Sequence, residues 1–108
     1  MKVVWSFEAN DQLIQAADFI DRKFGERIKL DFLNDINHIV SLLESAPYLG
    51  KEEPLLENTP ILYRSLVVNE INKLVYYINN DFIEIVALWD TRREPKTLIK
   101  DLVEPKEE

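Results

Sequence analysis

The side chains able to do chemistry in this sequence are few, and the most conspicuous of them are cations. Arg92 and Arg93 stand side by side in residues 87–95 (ALWDTRREP), at the end of the most hydrophobic segment of a chain whose formal net charge is −7. Arg64 lies within the apolar run 61–68 (ILYRSLVV), where a guanidinium needs a partner carboxylate or an open face. Lys73 opens the run 73–78 (KLVYYI), a position that suits either ligand contact or a solvated edge that discourages strand pairing. If the strand continues through Arg92 and Arg93, the two alternate in direction and do not address one ligand together. Arg93 is then expected at the surface, paired with a carboxylate such as Glu94.

The other chemistries are mostly excluded. The chain has no cysteine, which removes disulfides, thiolate metal sites and a cysteine nucleophile. His38 is the single histidine, set beside an apolar helical stripe where a surface or boundary role is the simplest reading. No serine lies in a G-x-S-x-G elbow. Gly25 and Gly50 are the only glycines, so no phosphate-binding glycine loop exists, and no motif for a metal or cofactor is present. A pI near 4.7 opposes tight binding to free nucleic acid, because phosphate contacts require clustered Lys and Arg. With 108 residues, 46% of them hydrophobic and 31% charged, the chain reads as one soluble domain, residues 1–103, with a short charged tail at 104–108. The start of the chain lacks a secretory pattern and no apolar run is long enough for a membrane span, so a cytoplasmic protein without membrane contact is expected.

The elements that must position the cations follow from periodicity. Residues 3–5 are β-prone, and Ser6 is a fit N-cap with Glu8 in the first turn. Ala9, Leu13, Ala16, Ala17, Ile20 and Phe24 recur at helical spacing, and Gly25 supplies a stop. Phe32, Leu33, Ile36, Ile39, Val40 and Leu43 repeat the pattern and end before Pro47, giving a helical hairpin. Residues 45–60 (SAPYLGKEEPLLENTP) show no sustained period and read as a loop wrapped on the fold. Runs 61–68, 73–78 and 82–89 are rich in Val, Ile, Tyr and Trp and are separated by Asn- and Asp-bearing turns, which predicts a β-meander. The order β-α-α-β-β-β predicts an α+β fold with the hairpin on one face of a mainly antiparallel four-stranded sheet. Trp5, Tyr76, Tyr77 and Trp89 are then expected in the core, not as a platform for stacked bases. Residues 96–102, with Leu98, Ile99 and Leu102, suit a last helical turn or an edge covered by a partner.

This order, with YRSLVV, KLVYYI and a last strand ending in arginine, resembles the RelE/ParE superfamily of type II toxin and plasmid stabilisation proteins. The likeness runs from Val3 to about Leu102, and the segment DTRREP followed by Leu98 is similar to a recurrent ending in that superfamily. The resemblance implies a growth-arresting toxin neutralised by a cognate antitoxin that drapes a segment across it. It also implies one of two modes of action: binding to DNA gyrase, or cleavage of mRNA at the ribosome. For the nuclease mode the resemblance places cationic site residues at Arg64, Lys73 and Arg92, which would hold RNA and stabilise the charged transition state.

Two positions depart from the nuclease pattern. Leu66 stands where those members carry a further basic residue, and Leu98 stands where they carry a tyrosine. Leucine transfers no proton and holds no phosphate. The expectation is therefore a toxin that binds a target such as gyrase, with Arg64, Lys73, Arg92, Arg93 and Leu98 as candidate contacts to target or antitoxin. The alternatives are a ribosome-dependent endoribonuclease and an inactivated member that retains antitoxin binding.

Overall fold

The structure, a computed structural model, describes residues 1–102. The tail expected at 104–108, and the domain end expected at 103, lie outside the described residues. Strand β1 (Lys2–Trp5) leads through Ser6 into α1 (Phe7–Phe24), and α2 (Glu26–Ser45) follows after one residue. Ser6 Oγ accepts from the Ala9 amide at 3.1 Å, closing the N-terminus of α1. Gly25 links the helices with φ +97° and ψ 170°, a conformation open essentially to glycine alone.

The sheet has the order β1-β5-β4-β3-β2, from β2 (Lys51–Glu52), β3 (Arg64–Val67), β4 (Asn72–Asn79) and β5 (Phe82–Asp90). β1 pairs parallel with β5, and the other pairings are antiparallel. The fold is α+β as expected, but the sheet has five strands instead of four. The extra strand comes from the segment read as loop: Lys51 and Glu52 pair with Ser65 and Arg64, and the chain then turns through a 3-10 helix at Pro54–Leu56. A two-residue strand is too short to show a period of two, which is why the pattern is invisible in the sequence. The first meander strand is also shorter than its apolar run, beginning at Arg64. Asn69 Oδ1 accepts from the amides of Ile71 and Asn72 and shapes the β3–β4 turn. Asn80, at φ 52°, shapes the next one.

Both faces of the sheet are covered. Toward the hairpin, Leu74, Tyr76, Ile83, Ile85 and Leu88 pack under Ala9, Phe32, Ile36 and Leu43. On the outer face, Val75, Val86, Ala87 and Trp89 pack with Leu56 of the 3-10 turn, Tyr63, and Leu98 of α3 (Pro95–Leu102). Consecutive residues Val86 and Ala87 share that face because the register shifts at Val75/Tyr76, where Val75 faces Ala87 but Tyr76 faces Ile85. The bulge inserts one residue into β5, after which Ala87 and Trp89 face outward and Leu88 the hairpin.

Candidate interaction site

The four cations singled out in the sequence lie in two places and do different work. Arg64 pairs across the sheet with Tyr76, on the hairpin side. Its guanidinium donates to Gly50 O at 2.8 Å and lies 5.1 Å from the ring centroid of Tyr48. The same corner is tied by the Tyr76 hydroxyl, which accepts from the Gly50 amide at 2.9 Å and donates to Pro47 O at 2.8 Å. Burial raises the Tyr76 pKa above its ordinary value, against the opposing influence of the Gly50 amide and Arg64.

Lys73 is three residues from Tyr76 on β4 and therefore points to the outer face. There it donates to Glu53 in a buried ion pair, with Glu53 also accepting from Ser65 Oγ at 2.9 Å and from the Leu55 amide at 2.8 Å. Burial pushes the Glu53 carboxyl upward, but the hydrogen bonds from Lys73, Leu55 and Ser65 outweigh it and hold the group below the ordinary carboxylate range. Glu53 is 2% exposed, so this is a closed clamp between the 45–60 segment and the meander. Its acceptors are committed to the fold.

Arg92 and Arg93 stand past the far end of β5. Asn72, the partner of Asp90, is four residues along β4 from the level of Arg64, roughly 13 Å at ordinary strand rise. Arg92 grips Asp90 with two bonds, Nε to Oδ1 at 3.0 Å and Nη2 to Oδ2 at 2.8 Å, and its side chain is 60% exposed. The hydrogen bond from Arg92 lowers the Asp90 pKa. Arg93 turns to the outer face, where its guanidinium covers the Trp89 ring at 4.7 Å and lies 3.8 Å from Asp101. Its carboxylate is therefore Asp101 of α3, not the adjacent Glu94, because α3 folds back over the sheet. Leu98 is fully buried beneath the same helix and presents no surface. Leu66 packs half-buried against the hairpin side of the core.

The cations thus do not converge. Arg64, level with Tyr76, and Lys73, level with Trp89, are on opposite faces of the sheet and both are tied to the 45–60 segment, whereas Arg92 is on an open shelf past the end of β5. Among the described residues no group of three or more His, Cys, Asp or Glu side chains gathers to hold a metal ion, and no helix is long and apolar enough to cross a membrane.

One recess was not anticipated. A groove of about 650 Å³ opens between the first turns of α1, the outer side of β5, residues 61–63 and α3. It exists because β1 stops at Trp5: past Ile85 the edge of β5 faces α1 instead of a strand, and the Leu88 amide is satisfied by Gln12 Oε1 at 2.9 Å. Tyr63 and Tyr77 stack edge to face at 5.8 Å on its wall. Burial, with Tyr77 and Glu84 nearby, raises the Tyr63 pKa. Phe7 stands at the mouth, 84% exposed. One sequence signal pointed here: Phe7 is a large aromatic in the first turn of α1 that lies off the Ala9–Leu13–Ala17–Ile20 stripe.

A two-helix hairpin inserted between a parallel edge strand and an antiparallel meander defines a small α+β class. Solved structures of that class include bacterial toxins. The chain is similar to the chromosomal ParDE TA system from P. aeruginosa, with 20% identity, a TM-score of 0.68, and 83% of this chain and 95% of that one covered. It is similar to a YoeB/ParE toxin from Agrobacterium tumefaciens, with 22% identity, a TM-score of 0.57, and coverage of 83% and 98%. A YoeB dimer from Staphylococcus aureus follows at 20% identity, a TM-score of 0.56, and coverage of 82% and 94%. No protein-family model and no curated protein sequence matches the chain. What is shared with these structures is the fold, over about four-fifths of the chain.

Proposed function

We propose that this protein is the toxin of a type II toxin–antitoxin system, that it acts by binding a cellular target such as DNA gyrase, and that a cognate antitoxin holds it inactive. The fold shared with ParDE and YoeB/ParE structures supports the toxin part of this reading. The observation that favours binding over RNA cleavage is the separation of the cations: Lys73 is consumed by Glu53, and Arg64 is tied to Gly50 on the opposite face. Phosphoryl transfer requires charges aimed at one reacting phosphate. Leu98 is buried in the core, Leu66 packs half-buried against it, and neither offers proton transfer or phosphate contact. In this reading the protein works in the cytoplasm, as a single domain and without a cofactor, and Arg92 is the cation best placed for contact.

Induced expression should arrest growth, and co-expression with the adjacent open reading frame should relieve the arrest. Normal growth at verified soluble expression overturns the toxin reading. Purified protein should inhibit gyrase supercoiling, and primer extension on induced cells should show no new mRNA 5′ ends. New ends dependent on Arg64, Lys73 and Arg92 would replace the binding mode by the nuclease one.

A further inference from the structure

The groove beside β5 has a recognisable chemistry. Its floor is apolar, with Trp89 and Val86, and its mouth carries the exposed ring of Phe7. Its rim carries Glu8, Asp11, Glu84 and Asp101 against Arg93, the one cation among its described lining residues. The chain's own Arg93 shows what such a surface accepts: a guanidinium laid on the Trp89 ring at 4.7 Å with a carboxylate, Asp101, at 3.8 Å. Both contacts are at a half-exposed position, so they are individually weak and exchangeable.

We propose that this groove receives a basic amphipathic segment of a protein partner, its apolar side chains against Phe7 and the Tyr63–Trp89 wall, its arginines or lysines on Glu84 and Asp101. The charge balance selects this occupant. An acidic segment would meet four rim carboxylates on a chain of net charge −7, whereas a basic one gains rim pairing and electrostatic steering. The apolar floor supplies the affinity and the rim the choice of partner. In the toxin reading, on which this assignment rests for the partner's identity, that segment belongs to the antitoxin.

The test uses the full chain and a synthetic helix-forming peptide with leucines on one face and arginines on the other, beside a counterpart with the arginines replaced by glutamates. Calorimetry should show binding of the arginine peptide alone. Glu84→Gln with Asp101→Asn should weaken it about tenfold, as much as two rim ion pairs allow. Asp31→Asn with Asp35→Asn, which removes the same charge from exposed positions on α2, should change it little. In a Trp5→Phe background Trp89 is the sole tryptophan, and its emission should shift as the peptide enters. Absence of binding by the arginine peptide, or equal losses in the two double variants, overturns the groove. The adjacent reading frame's product separates the two readings: if it relieves toxicity with an affinity unaffected by Glu84→Gln and Asp101→Asn, the groove fails and the toxin stands. If expression is harmless while the peptide pattern holds, the toxin fails and the groove stands.

Discussion

Two regions of the meander, the one facing the 45–60 segment and the one past the end of β5, carry the same kind of side chain under opposite conditions. Against the 45–60 segment, Lys73 and Arg64 are anchored by a buried carboxylate and a backbone carbonyl, and the Lys73 side chain is 17% exposed. At the far end of β5, Arg92 is 60% exposed and Arg93 47%. The first pair holds a non-periodic segment onto the sheet; the second stands over two recesses on either side of β5. A cation in a strand of a toxin-like fold is therefore not a site residue by type or position alone. What distinguishes the two regions is whether the surrounding carboxylates and carbonyls already satisfy the charge.

The largest effect that would break this contrast is at Lys73. If the clamp is structural, Lys73→Met leaves Glu53 buried with its charge uncompensated, and the protein should lose about 3 kcal/mol of stability in urea unfolding. A variant as stable as the parent would return Lys73 to the list of available cations. Next comes Gly50→Ala. A Cβ there would sit 2.8 Å from the Tyr76 hydroxyl and 2.9 Å from Ser65 O, so the corner that holds Arg64 has to move. The expected loss is about 2 kcal/mol, read from the same unfolding curves.

A smaller and pH-dependent effect sharpens the assignment. Glu53 has a folded pKa below its ordinary value, so its stabilising contribution is present above the unfolded value, about 4.3, and is lost as pH falls through the folded one. Glu53→Gln should be less stable than the parent at pH 7, and the gap should narrow as pH falls below about 4. A gap that is constant with pH would mean the clamp does not depend on the carboxylate charge.

The contrast also explains what could be read in advance. The hairpin, its Ser6 cap, the Gly25 stop and the three meander strands were legible because their apolar residues repeat at 3.6 or 2 over enough positions to declare a face. The outer layer was not. β2 has two residues, the 3-10 turn three, and the cluster they form depends on Glu53 meeting Ser65 and Lys73 across separations of 12 and 20 residues. No local period encodes such a meeting. The same is true of the site. Arg92 and Arg93 were visible as a pair, but their divergence onto Asp90 and Trp89 depends on where β5 ends and how α3 returns. The groove beside them is a consequence of the place where β1 stops.

The smallest effect on stability falls on Arg92, and it carries the functional side of the comparison. The Arg92 side chain is 60% exposed and bonded to Asp90, and Asp90 keeps a further hydrogen bond, from the Arg92 backbone amide at 2.9 Å, that does not depend on the side chain. Arg92→Ala should therefore leave the urea midpoint within error of the parent while removing the charge from the shelf formed with Gln12, Gln15 and Phe19 of α1. If Arg92 contacts the cellular target, growth arrest by the variant should weaken without any fall in soluble protein. Arg92→Lys should recover only part of it, because an ammonium cannot reproduce a planar two-point contact. Undiminished arrest by Arg92→Ala would place the contact elsewhere and leave the exposed end of β5 as open as it looks.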